Sequence, residues 1–446
     1  MKKTSAFSPT RVSMAVAVVC VGISMPAFAQ VEAKVTGRVQ FDARNHSNGA
    51  TVVDDKDSAS YSDGYEIRRA RIGVSGAINK DIAYEVVGNA VGSSTNFVDT
   101  AFINYGFNKA AQFRAGRFKQ PFSLVELTSS NSIDFMERSY GNQVVPGKRL
   151  GMMLHGEVTK GVTYGLSSYQ DDFTSKENSA NIGRNNAARL AANFAEMQGI
   201  EDTVIHVGYA KAQMYDKVAN TTSSSSGGTS TTGTVLSVRS ENRGINHAYR
   251  IRLDGDTLTT GGYGVAGQTF TSIEKSLTGM ELAVARGPFK FQAESFRNYS
   301  SATSGTGDSA NLDFAANYYE VMYNITGESW SKAYKGGAFS GITPGSVFMK
   351  DYGGVVGNGI GAWQVGFRTS NYAINERSVV GTTSIGSKAG TTNTVGLNWF
   401  LNNNARVMLN YSETKFETAF TPVDTSGSMN TVNSERTISL RTQVNF

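Results

Sequence analysis

The feature of this sequence that most constrains its fold is an alternation of apolar and polar side chains with a period of two. In the C-terminal segment, Ile438, Leu440 and Val444 alternate with polar residues such as Arg441. The same alternation recurs at residues 289–294, 363–368, 394–399 and 406–411. Segments of about ten residues with this period are typical of β-strands whose two faces meet different surroundings. Beyond residue 30, no stretch offers the roughly 18 consecutive apolar residues that indicate a transmembrane helix.

A soluble β-sandwich also alternates, so the spacing of the connections and the charge of the polar faces decide the fold class. Tight connections fall at residues 78–81, 107–109, 160–161, 286–288 and 402–404, and long ones near 46–64, 119–148, 170–185, 212–234, 299–312, 370–390 and 415–433. Short turns at one end and long loops at the other are typical of outer-membrane barrels. The polar faces also carry Arg, Lys and Glu in mid-strand, whereas both inner faces of a sandwich must be apolar. The sequence therefore predicts an all-β fold, a transmembrane antiparallel β-barrel of about 16 to 18 strands.

Two of the long connections differ in composition. Residues 119–148 include six large apolar side chains among charged ones, so this segment is expected to fold into the barrel as a constriction loop. Residues 212–234 are dominated by Ser, Thr and Gly and are expected to form a flexible external loop. By the up-and-down order of the strands, residues 327–360 should connect two strands on the periplasmic side, where the other connections are short turns. This segment is much longer than a turn, so an extra hairpin or a folded-in segment is predicted there.

The N-terminus has the composition of an export signal. It has a positively charged start, an apolar stretch at 12–23 and the small-x-small triplet Ala27-Phe28-Ala29, so residues 1–29 are predicted to be a signal peptide and 30–446 the mature barrel. Removing three basic residues with the signal lowers the formal net charge from +5 to +2. Cys20 is the only cysteine, so the mature chain is expected to lack disulfides and cysteine metal sites.

Other functional classes find little support in the sequence. His155 and Glu157 share a strand face, which leaves an outer-membrane barrel hydrolase as an alternative, but no Gly-x-Ser-x-Gly element accompanies them. The glycine-rich segment 357–361 lacks the spacing of a dinucleotide fingerprint, so no cofactor is expected. The mature chain has no basic run, so no nucleic-acid partner is expected.

A set of short motifs resembles a known family. They are Arg-Arg-Ala-Arg-Ile-Gly at 68–73, Gly-Arg-Phe-Lys-Gln-Pro-Phe-Ser-Leu at 116–124, Glu-Leu-Thr-Ser-Ser at 126–130, Phe-Met-Glu-Arg at 135–138, Pro-Gly-Lys-Arg-Leu-Gly at 146–151, Gly-Pro-Phe at 287–289, Thr-Gly-Glu at 326–328, Gly-Ala-Trp at 361–363, Val-Gly-Leu-Asn-Trp at 395–399 and the terminal Phe446. In this order they resemble the phosphate-selective porin family of Gram-negative outer membranes. The resemblance implies a homotrimer of barrels in outer-membrane lipid, each with an inward-folded loop and basic residues that guide phosphate-like anions. A general diffusion porin without phosphate preference is the alternative.

Charge at the narrow part of a pore determines which ions pass, so the candidate site residues are basic. Alternate residues of each strand face the lumen, and this alternation predicts a group of cations on the lumen wall. Near the inward-folded loop the alternation is unclear, so either Arg114 or Arg117 could face the lumen. The candidates are Lys119, Arg138, Lys148 and Arg149 at the constriction, and Arg69, Arg71, Arg114, Lys290, Arg368, Arg406 and Arg441 on the wall. Lumen arginines can instead brace the barrel against carboxylates, here Glu281, Glu294 and Glu320 on the wall and Glu126, Asp134 and Glu137 in the loop.

Overall fold

The computed structural model describes residues 31–47, 63–91, 97–170, 185–216, 234–253, 270–304, 307–348, 358–421 and 431–446. The predicted signal peptide and most of the predicted loop 212–234 lie outside these ranges. Sixteen strands close into one antiparallel barrel, in which neighbouring strands follow one another along the chain. This confirms the predicted fold class.

The barrel strands are β1 (Glu32–Ser47), β2 (Gly64–Ala77), β3 (Ile82–Asn89), β4 (Val98–Gly106), β5 (Gln112–Lys119), β6 (Lys148–Thr159), β7 (Val162–Gln170), β8 (Asn185–Asn193), β9 (Thr203–Asp216), β12 (Phe270–Arg286), β13 (Phe289–Ser304), β14 (Ser309–Asn324), β17 (Ala362–Val380), β19 (Ala389–Phe400), β20 (Ala405–Phe420) and β21 (Val432–Asn445). Five short strands lie in connections: β10 (Thr234–Val238), β11 (Tyr249–Arg252), β15 (Tyr334–Lys335), β16 (Ala338–Phe339) and β18 (Ile385–Gly386). The α-helices are α1 (Leu124–Leu127) and α2 (Phe194–Gln198), and 3-10 turns span Tyr140–Gln143 and Ser331–Ala333. None of the helices in the described part of the chain combines the length and the apolarity that crossing a membrane would require.

The last strand closes the barrel against the first. The register pairs Arg38 with Asn445, and Gly37 and Phe446 exchange two backbone hydrogen bonds of 2.8 and 3.1 Å. In β21, the apolar side chains of Ile438 and Val444 are 54% and 52% exposed, whereas Arg441 is fully buried. Burial of the polar face and exposure of the apolar face is the reverse of a soluble protein, and it fits a barrel whose outside meets lipid.

Most connections follow the predicted rhythm, but two predicted loops are wrong in extent. Strands β13 and β14 pair as far as Thr303 and Ser309, so little of the predicted loop 299–312 is loop. Similarly, β17 continues to Val380, into the predicted loop 370–390. These strand ends are rich in Ser, Asn and Thr, which hides the alternation. The antiparallel partner still satisfies their backbone groups.

Two connections fold back onto the barrel. On the external side, residues 234–253 form the external insert, whose strands β10 and β11 make a small sheet with β18 of the connection between β17 and β19. On the periplasmic side, β15 and β16 form a hairpin within the long segment between β14 and β17. Trp330 and Phe339 of this periplasmic segment are buried with Leu124, so the predictions of an extra hairpin and of a folded-in segment both describe it.

Candidate functional site

The connection between β5 and β6, residues 120–147, is here called the inner loop. Little of its backbone is in regular structure, so its amide and carbonyl groups need partners elsewhere. The wall supplies them: the Glu294 carboxylate accepts hydrogen bonds from the amides of Leu124 and Val125, at 2.9 and 2.8 Å. The Asn410 side chain accepts one from the amide of Met136 at 2.9 Å. Buried wall side chains therefore hold the inner loop at both of these places.

The apolar side chains of the inner loop pack against the wall where the wall carries glycine. Phe122 and Phe135 are buried, as the composition of the segment predicts, and so is Leu124. A Cβ atom placed at Gly279 would lie 2.9 Å from the Phe122 ring, and one at Gly396 would lie 3.0 Å from the Phe135 ring. These two glycines therefore leave the space that the aromatic rings of the loop occupy.

Four of the predicted wall cations lie on the inner face but are covered by the inner loop. Lys290 binds Asp134, Arg368 donates to the Glu137 carbonyl at 2.9 Å, Arg406 to the Ile133 carbonyl at 3.0 Å and Arg441 to the Met136 carbonyl at 3.0 Å. Arg441 also forms a bidentate ion pair with Asp42, with N–O distances of 2.6 and 2.7 Å. All four side chains are buried, so their contacts brace the loop.

A second contact between the loop and the wall centres on Glu137. Its carboxylate lies 2.7 Å from Arg44 of β1, 3.5 Å from Arg68 of β2 and 3.6 Å from Arg243 of the external insert. Burial alone would raise the pKa of Glu137, but Arg68, Arg243 and Arg44 outweigh it and hold the pKa well below its usual value. The carboxylate is therefore ionised and connects three separate segments.

With the inner loop held against one side, a cavity of about 940 Å³ remains beside it. Its walls come from strands β1 to β8, the inner loop and the periplasmic segment, and this cavity is here called the passage. Ten basic side chains line it, against four carboxylates. The basic residues are Arg38, Arg69, Arg71, Lys109, Arg114, Lys119, Arg138, Lys148, Arg189 and Lys335.

Several of these cations are neutralised or bound by neighbours. Asp99 pairs with Arg71 at 2.7 Å and also with Lys148. Glu126 lies 3.6 Å from Arg138 and 4.0 Å from Lys119. Both of the latter cations also donate to backbone carbonyls of the inner loop, including that of Thr128 at 2.9 Å in each case. Lys119 and Arg138 thus reach the passage while shaping the loop, and Lys148, a third predicted constriction cation, reaches it while pairing with β4.

Three arginines of the passage form hydrogen bonds only with neutral groups among the described residues. Arg38 donates to the side chains of Ser130 and Asn131, each at 2.7 Å. Arg69 donates to the Gln40 side chain at 2.8 Å, and Arg114 to that of Asn104 at 3.1 Å. Arg38 is not among the residues predicted from the sequence, although it alternates with the lipid-facing Val35 and Val39 in β1. Arg38 and Arg71 are direct cross-strand partners.

Two other predicted residues lie elsewhere. Arg149 lines a separate cavity of about 360 Å³, next to the external insert. Arg117 does not line the passage, whereas Arg114 does. The hydrolase alternative finds no pairing of its residues, because His155 contacts the Asn104 side chain at 2.8 Å and Glu157 accepts from the Gly161 amide at 2.9 Å. Neither of these hydrogen bonds joins His155 to Glu157.

A closed barrel with an apolar outside, a charged inside and an open passage beside an inward-folded loop is an outer-membrane porin. The chain belongs to the family described as phosphate-selective porin O and P, whose family model matches residues 33–446. It is 25% identical over 420 residues to Porin O of Pseudomonas aeruginosa, covering 86% of this chain and 82% of that one. The location is therefore the outer membrane of a Gram-negative cell.

Solved structures show the same fold at low sequence identity. The anion-selective porin from Comamonas acidovorans is 9% identical with a TM-score of 0.50, covering 94% of this chain and all of that one. OmpT of Vibrio cholerae, in its trimer form, is 10% identical with a TM-score of 0.51, covering 93% of this chain and 99% of that one.

Proposed function

We propose that this porin lets small anions, including phosphate-like oxyanions, diffuse passively through the passage into the periplasm. The observation that carries the proposal is the set of three arginines, Arg38, Arg69 and Arg114, whose guanidinium groups form hydrogen bonds only with neutral groups among the described residues. A guanidinium offers paired N–H donors that match a phosphate or carboxylate oxygen pair, and these can replace part of the hydration of the anion.

The charge of the passage supports the same proposal. Ten basic and four acidic side chains give a formal excess of six positive charges. In a narrow channel with low-dielectric walls, such an excess acts more strongly than the small net charge of the whole chain. Lys119, Arg138 and Lys148 contribute to this excess although neighbours bind them. Arg149 lies at the separate external cavity and would act on anions approaching from outside.

The remaining parts of the proposal concern assembly and export. Residues 1–29 would act as a cleaved signal peptide, and residues 119–148 would act as the constriction. The barrel would work as a homotrimer, as the trimer form of OmpT does, and without catalysis, as the porin family indicates. A general diffusion porin is the second candidate, and it differs in showing no preference among anions of equal size.

The test is the reversal potential of single channels in a potassium chloride gradient at low salt. Replacing Arg38, Arg69 and Arg114 together with Gln halves the formal excess of charge in the passage, so the reversal potential should move about halfway towards zero. Arg377→Gln is the matched control, because this arginine is 59% exposed in its side chain and pairs with Asp313 away from the passage. An unchanged reversal potential in the triple variant would contradict the proposal.

Anion preference is read from the same channels. Phosphate should reduce the chloride current of the wild type more than sulfate or acetate of equal activity does, and the triple variant should lose this difference. Equal effects of all three anions in the wild type would favour the general diffusion porin.

A further inference from the structure

The passage has an apolar side as well as a cationic one. Phe102 of β4 and Phe118 of β5 lie edge to face, with ring centroids 6.4 Å apart. Pro121 and Leu127 of the inner loop and Met153 of β6 line the same cavity. These five side chains are here called the apolar patch.

The apolar patch is continuous between the wall and the inner loop. A Cβ atom placed at Gly165 would lie 2.7 Å from Pro121 Cβ and 3.6 Å from Met153 Sδ, so this glycine brings the two side chains together. Met153 is the direct cross-strand partner of Arg114. The apolar surface therefore extends to Met153, which lies beside Arg114 on the next strand.

Arg114 joins the apolar patch to the cationic side. Its guanidinium carbon lies 4.3 Å from the centre of the Phe102 ring and 5.8 Å from that of Phe118. The contact with Phe102 positions the guanidinium, and among the described residues it donates one hydrogen bond, from Nε to Asn104, so its other N–H groups can donate to an anion. A molecule held by these N–H groups would have apolar side chains beside its other end.

The size of the passage agrees with a larger solute than a bare inorganic ion. Its volume of about 940 Å³ lies in the range of cavities that hold small organic molecules. A site for one inorganic oxyanion needs donors on all sides, because each oxygen that loses water must regain a hydrogen bond. Part of this cavity offers apolar carbon and sulfur atoms in place of donors.

We infer that the passage prefers organic anions with an apolar body, such as aromatic or branched carboxylates, over small anions with the same charged group. This inference rests on the proposed function, since the arginines must first attract the anion. It adds the second recognition element, which is the contact of the apolar body with the patch.

The experiment compares benzoate with acetate, two carboxylates of equal charge that differ in their apolar body. Each is added to single channels carrying chloride current at low salt, and the concentration that halves the current is measured. Burial of one aromatic face should lower this concentration about tenfold for benzoate relative to acetate. Equal values for the two anions, in a channel that remains anion-selective, would overturn the inference and leave the proposed function standing. Loss of anion selectivity in the wild type would instead overturn the proposed function.

Two variants test whether the apolar patch is responsible. Phe102→Ser and Leu127→Ser should each raise the half-blocking concentration of benzoate several-fold and leave that of acetate within a factor of two. Phe113→Ser is the matched control, because Phe113 is on the neighbouring strand and is 39% exposed on the lipid side. If Phe102→Ser fails to insert, Leu127→Ser decides the question from the side of the loop. An unchanged benzoate value in both variants would overturn the inference.

Discussion

Replacing Glu294 with Ala should release one end of the inner loop from the wall. The carboxylate accepts the amides of Leu124 and Val125 and also the Tyr318 hydroxyl, at 2.6 Å. A buried donor left without an acceptor costs about 1–3 kcal/mol, so loss of the two loop contacts should cost about 2–6 kcal/mol of loop anchoring. Most of that cost arises because the two amides stay buried without an acceptor.

Hydrogen exchange measures this anchoring directly. In Glu294→Ala the amides of Leu124 and Val125 should exchange at least about thirtyfold faster, since 1.4 kcal/mol corresponds to a factor of ten. The single-channel conductance should rise, because the loop moves away from one wall and no longer narrows the lumen. Glu294→Gln keeps one acceptor oxygen and should show about half of the free-energy change.

Glu274→Ala provides the matched control for this prediction. Glu274 is exposed and lies on β12, the strand next to that of Glu294. It should change neither the exchange of the loop amides nor the conductance. The reasoning is refuted if Glu294→Ala leaves the exchange of both amides and the conductance at the wild-type values.

Four further outcomes are expected. Arg441→Met should destabilise the barrel by about 3–5 kcal/mol, because Asp42 stays buried after losing this partner. Urea titrations followed by heat-modifiable gel mobility measure the loss, and the double variant with Asp42→Leu should recover part of it. Gly279→Val should displace the Phe122 ring and raise the conductance, whereas a conductance equal to that of the wild type would show that the wall yields instead. The pKa of Glu137 is lowered in the folded state, so its contribution to the free energy of unfolding is complete above the unfolded pKa of ~4.3 and is lost as the pH falls through the lower folded pKa. The stability difference between wild type and Glu137→Gln should therefore vanish only in strong acid. Anion selectivity should weaken as salt rises towards 1 M, where the Debye length is ~3 Å, and reversal potentials independent of salt would contradict an electrostatic origin.

The barrel could be predicted from the sequence because lipid and water impose opposite demands on alternate residues of each strand. Segments with large apolar residues, such as β21, show this period clearly. At the external ends of β13, β14 and β17 the buried inner face itself carries apolar residues such as Leu312 and Ile374, so the alternation of a polar inside with an apolar outside disappears although the strands continue. The external insert was not predictable, since its buried residues, such as Tyr249, contact strands far away in sequence.

The inward folding of residues 119–148 could be predicted from their apolar side chains, but the partners of each arginine could not. Parity places Arg114 and Arg441 on the same inner face. The structure gives Arg441 a bidentate partner in Asp42 and gives Arg114 a neutral one in Asn104. That difference depends on which wall the inner loop covers, and local sequence does not contain this information. Arg38, in contrast, could have been found from its alternation with Val35 and Val39.

The inner loop divides the barrel wall into two parts with different roles. Many of its polar contacts fall on β13, β17, β19, β20 and β21, where buried Arg, Asn and Glu side chains bind its backbone. The passage is lined by strands β1 to β8, and the inner loop meets this wall at fewer places, among them Arg38 of β1, Arg68 of β2 and Lys119 of β5. Substitutions on the covered wall should therefore act first on stability and loop position. Substitutions on the open wall should act first on ion choice.

Arg38 of β1 belongs to both groups, because it holds the loop through Ser130 and also borders the passage. Arg38→Gln alone should then lower both anion selectivity and the protection of the Ser130 region, whereas Arg69→Gln should lower selectivity alone. If both single variants changed selectivity and loop protection to the same extent, this division of the wall would be wrong.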